Sequence, residues 1–119
     1  HIDYFRESNV MNDDTQSSTP SFAEAKPLGP EDTTFISELH ALLERHGNIN
    51  RFGVLLLHDH FSVKGDEIML ETNDPHARTL HMEVVKRTDL PAGKFTSWRL
   101  SGSKKGEVEA LTFCGRACY

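Results

Sequence analysis

Phe35-Ile36-Ser37-Glu38-Leu39-His40-Ala41-Leu42-Leu43-Glu44-Arg45-His46-Gly47 is followed, three residues later, by Arg51-Phe52-Gly53-Val54-Leu55-Leu56-Leu57-His58-Asp59-His60-Phe61. The first run repeats its apolar residues at 35, 36, 39, 42 and 43, which is the spacing of one helix face. The second abandons that period for a dense apolar run bounded by turn residues, which reads as a strand covered on both sides. The change of period between them makes this an α+β chain.

Working outward, the helix is expected to begin near Glu31. Pro30 suits a first helical position, and Glu31 and Asp32 complement the positive N-terminal end of the helix dipole. Arg45 and His46 suit its last turn, and Gly47 supplies the stop. Beyond the Arg51–Phe61 run, four further strands are expected at 67–72, 78–87, 95–100 and 107–113. Lys64-Gly65-Asp66, Asn73-Asp74-Pro75, Leu90-Pro91-Ala92-Gly93 and Ser101-Gly102-Ser103 punctuate them. Connections this short favour antiparallel neighbours. The expected architecture is one N-terminal helix packed on a five-stranded, mainly antiparallel sheet, open or rolled into a barrel.

Upstream, residues 1–30 are rich in Asn, Asp, Ser, Thr and Pro, and their composition cannot bury enough apolar area to offset chain entropy. They read as a polar tail, with Tyr4, Phe5, Val10 and Met11 as the residues that could anchor it. The remaining residues, 31–119, form one expected domain of a size that folds without metal or disulfide support. The net charge of −5 divides into −3 over residues 1–28 and −2 over the rest, so the expected domain is nearly balanced. Lys86-Arg87 and Lys104-Lys105 are its only basic pairs, and no basic run interleaves with aromatics, which argues against a nucleic-acid partner. The longest apolar run, Val54 to Leu57, falls far short of the roughly 18 residues of a membrane span, so membrane association is not expected. Two cysteines, Cys114 and Cys118, do not make a disulfide-dense secreted scaffold, and the reading leans to a reducing, cytoplasmic setting.

The chemistry-bearing feature is His58-Asp59-His60. In a strand, alternate residues share a face, which would place the two imidazoles side by side as ligands for one metal ion. A third ligand could come from Glu67 or Glu71, on one face of the next strand, or from His81 or Glu83 on the strand after. The candidate metal set is therefore His58, His60, Glu71 and His81, for a divalent transition metal. The competing reading makes both histidines architecture at a strand end. Gly53 ahead of the histidine pair and Pro91-Ala92-Gly93 resemble elements of the cupin metal motif. Six residues nevertheless separate His60 from Glu67 where that family has fewer, no histidine follows Gly93 at the required place, and five strands are too few for its jelly roll, so the family is not assigned.

A site of His58, His60, Cys114 and Cys118 would require the last strand to end beside the first. Trp98 reads as core. Gly-rich phosphate loops, nucleophile elbows and metalloprotease helices are missing from the sequence. Two functions follow as expectations: a domain that binds a small molecule or a protein through a sheet face or a pocket under the helix, or a metal-dependent enzyme or metal-binding protein centred on His58 and His60.

Overall fold

A computed structural model of the chain describes residues 19–100 and 105–115. It divides into two compact units, Ser18–Phe61 and the part of the chain from Ser62 onward. Of the expected tail, residues 1–18 lie outside the described residues, as do Ser101-Gly102-Ser103, Lys104, Arg116 and Cys118.

In the first unit, a short 3₁₀ turn over Pro30–Asp32 leads into helix α1, Thr33–Arg45. The turn is closed locally. Gly29 N–H donates to Asp32 Oδ2 at 3.0 Å, and Thr33 Oγ1 donates to the Pro30 carbonyl at 2.8 Å. At the other end, Gly47 N–H donates to Glu44 O at 3.0 Å and Asn48 N–H to Leu43 O at 2.7 Å. This is the double bond of a Schellman cap, which requires a left-handed residue. Gly47 supplies it, at φ 73°. Helix boundaries and cap thus follow the residues that signal them.

The Arg51–Phe61 segment departs from expectation, because it forms no strand. Arg51 and Phe52 close a turn on the Asn48 carbonyl, and the chain then runs without a ladder until Asp59. There it makes an isolated parallel bridge with Ser21: Asp59 N–H donates to Pro20 O at 2.9 Å, and Phe22 N–H donates to Asp59 O at 2.8 Å. An apolar run becomes a buried strand only where neighbours pair its backbone and cover both faces. Here Val54, Leu55 and Leu56 remain exposed.

The second unit is a four-stranded open sheet of β1 (Glu67–Asp74), β2 (Thr79–Lys86), β3 (Gly93–Leu100) and β4 (Val108–Gly115). Its order is β2-β1-β4-β3. The hairpins β1–β2 and β3–β4 are antiparallel as expected, but β1 and β4 pair in parallel, through Met69 opposite Thr112, Leu70 opposite Phe113 and Glu71 opposite Cys114. The expected five-stranded, mainly antiparallel sheet or barrel is therefore replaced by a four-stranded mixed sheet with two edges. Short connections do constrain strands that are neighbours, but β2 and β3 are not neighbours. Residues 87–92 carry the chain from one edge to the other. That connection also helps cover the sheet: Leu90 packs against the core, and Arg87 donates to the carbonyls of Ala110 at 3.0 Å and Gly65 at 3.3 Å.

The core is small. Ile68, Leu70, Ala110 and Phe113 are buried, with Val85, Leu90, Phe95 and Trp98 packed around them. Phe95 and Phe113 meet edge to face with centroids 5.0 Å apart. Alternation along β1 places Ile68 and Leu70 inward, as the period-2 pattern requires. Gly93 begins β3 so close to β4 that a Cβ there would stand 2.1 Å from the Cys114 carbonyl oxygen.

Candidate functional site

Two regions carry residues that could act on a ligand, one around His58 and His60 and one along α1. At the first, the isolated bridge to Asp59 brings Phe22 against both imidazoles. Its ring stacks on His60 with centroids 5.5 Å apart and meets His58 at 5.7 Å, edge-on. The two histidine rings are 5.0 Å apart and perpendicular. His58 Nδ1 lies 2.6 Å from the Leu56 carbonyl oxygen. A carbonyl only accepts, so Nδ1 carries the proton and Nε2 presents a lone pair. The pairing expected of a strand arises here without one.

Glu71 and His81 are placed differently. The β1–β2 register sets Glu71 opposite Met82 and His81 opposite Thr72. With alternation, Glu71 shares a face with Glu67 and Met69, whereas His81 and Glu83 share the face of Ile68 and Leu70. Glu71 and His81 therefore stand on opposite faces of the hairpin. His81 Nε2 instead approaches Glu83 Oε1 at 4.0 Å. Among the described residues, no group of three or more His, Cys, Asp and Glu side chains is gathered as a metal shell. Cys114 is a free thiol on β4, while Cys118 lies outside the described residues. Trp98 packs against the sheet core, as expected of it.

Phe22 is the participant that the sequence reading missed, having been counted with the polar tail. The signal was present in Ser21-Phe22-Ala23-Glu24. Ser21 N–H donates to Glu24 Oε1 at 3.3 Å, and Glu24 N–H donates to Ser21 Oγ at 3.3 Å. This is the reciprocal pattern of a capping box. That turn and the bridge to Asp59 fix the segment carrying Phe22.

Along α1, no residue is buried. Phe35 is 57% exposed and Leu42 42%, with Ile36, Leu39 and Leu43 half-buried between them. A shallow groove of 540 Å³ runs beside the helix, lined by Leu28, Asp32, Ile36, His40 and Glu44. No other described residue of Ser18–Phe61 is buried either. Among the described residues, no helix is long and apolar enough to cross a membrane.

No protein-family model, curated protein or solved structure matches the chain.

Proposed function

We propose that this chain is a protein-binding module that presents α1 as an amphipathic recognition helix. The observation that carries the reading is the unburied apolar stripe of Phe35, Leu39 and Leu42, spaced i, i+4, i+7 as in helices that dock into a partner's groove. A 13-residue helix is marginal in water on its own, since helices in proteins draw most of their stability from packing an apolar face. Among its described residues, the unit that holds α1 has none buried to supply that packing. Covering the stripe would at once remove apolar area from water and stabilise the helix.

Charge narrows the partner. Glu31, Asp32 and Glu38 lie beside the stripe with Arg45 as the one base there, Glu44 is on the opposite face paired with His40 at 3.4 Å, and Lys26 is already paired with Glu31 at 2.9 Å. The fitting surface is an apolar groove with a basic rim, and such a rim would steer association in a salt-dependent way.

The test is site-specific photo-cross-linking with benzoyl-phenylalanine in place of Phe35 and, separately, of Glu44 on the opposite face. The module predicts adducts with a second protein from position 35, lost on Leu42→Glu and weakened by raised salt, and few from position 44. Adducts confined to the chain itself, or to a second copy of it, would overturn the proposal.

A further inference from the structure

We propose that His58 and His60 form a two-imidazole binding site for a divalent transition ion of the zinc, copper or nickel class. Three independent features of the Ser18–Phe61 unit converge on it. First, His58 is held in one tautomer. Its Nδ1–H donates to the Leu56 carbonyl at 2.6 Å, the arrangement that orients metal-binding histidines and raises the basicity of the other nitrogen.

Second, the ring separation fits chelation. With a metal–nitrogen distance of about 2.1 Å and a ring centre about 1.1 Å beyond the nitrogen, two imidazoles on a tetrahedral ion have centroids about 5 Å apart. The observed separation is 5.0 Å.

Third, the pair is braced. Phe22 stacks on His60 and abuts His58, and Phe22 is itself fixed by the hydrogen bonds that Asp59 makes with Pro20 and Phe22. Fixing both rings before binding reduces the ordering entropy that an ion must offset. Neutral imidazoles are borderline donors and suit these ions better than calcium or magnesium. Two protein ligands leave the remaining positions to water or to a donor from another molecule, so the ion is exchangeable and is not a structural staple.

The probe is zinc ion alone, titrated calorimetrically into the full chain at neutral pH, with nickel as a second ion. One site is expected, weakened at least tenfold by His58→Ala and by His60→Ala separately, and kept by His40→Ala and His46→Ala. Amide spectra of α1 and of Phe22 and Asp59, which lie in the same unit as the site, serve as the folding control. Should an alanine variant disturb them, His58→Gln and His60→Gln replace it and are expected to lose the same tenfold. Absence of zinc binding by the unsubstituted chain, or binding that survives both His58 and His60 substitutions, would overturn the proposal.

Discussion

A glycine and an ion pair show how single residues constrain the sheet. Gly93 sits where β3 meets β4, and any Cβ would meet the Cys114 carbonyl at 2.1 Å and a Phe113 ring carbon at 2.7 Å. Backbone cannot yield cheaply to such overlap, so Gly93→Ala is expected to destabilise the sheet by about 2 kcal/mol or more, measured as a shift in urea midpoint. Lys86 Nζ lies 2.6 Å from Asp66 Oδ2, and this contact holds the Asp66 carboxyl below the ordinary aspartate value. A depressed acid contributes stability that is fully present above its unfolded pKa and is lost as pH falls through the lowered folded value. The stability difference between the unsubstituted chain and Lys86→Met should therefore be constant from about pH 7 to about pH 5 and close below about pH 4. A difference that widened with acid would contradict the assignment.

Among the elements, those whose residues carry their own boundary chemistry were the most legible. The cap of α1 follows from Gly47, and the β1–β2 turn follows from Asn73-Asp74-Pro75. Asp74 Oδ1 accepts the amides of His76 and Ala77 at 3.0 and 3.1 Å. A side chain that bonds its own turn in this way supports an unusual backbone conformation nearby. Arg78 accordingly takes a left-handed φ of 61° before β2 begins. Asp74→Ala is expected to cost the sheet about 1 kcal/mol, checked by equilibrium denaturation. Residues 51–61 form no strand despite their composition, because an apolar run states that a segment is suited to burial and nothing in it names a partner strand. For the same reason the β1–β4 pairing was hidden. It joins residues far apart in sequence, through Leu70 and Phe113, and no turn lies between the two strands to declare it. His58 and His60 were paired on the alternation of a strand that does not form; their rings meet beside the bridge at Asp59, and Phe22, which braces them, was obscured by the polar composition around it. Glu71 and His81 fell on opposite faces because a single residue of register decides the face.

At the scale of the molecule, apolar burial among the described residues is concentrated in the sheet, and the two compact units are expected to respond differently to truncation. Phe113→Ala removes a buried ring from a small core and should destabilise the sheet by about 3 to 5 kcal/mol. Leu42 is already 42% exposed. Its replacement by alanine should leave sheet stability unchanged to within about 0.5 kcal/mol. Denaturation followed at Trp98 reads both. We propose that the apolar stripe of α1 stays uncovered until a partner arrives, and native-state hydrogen exchange of the free chain is the experiment that reads this. Amides that depend on tertiary burial for protection exchange at the low end of the stability scale when that burial is missing. Helix α1 is expected to exchange orders of magnitude faster than β1 and β4. Protection of α1 equal to that of the sheet would show the stripe already covered and would contradict it.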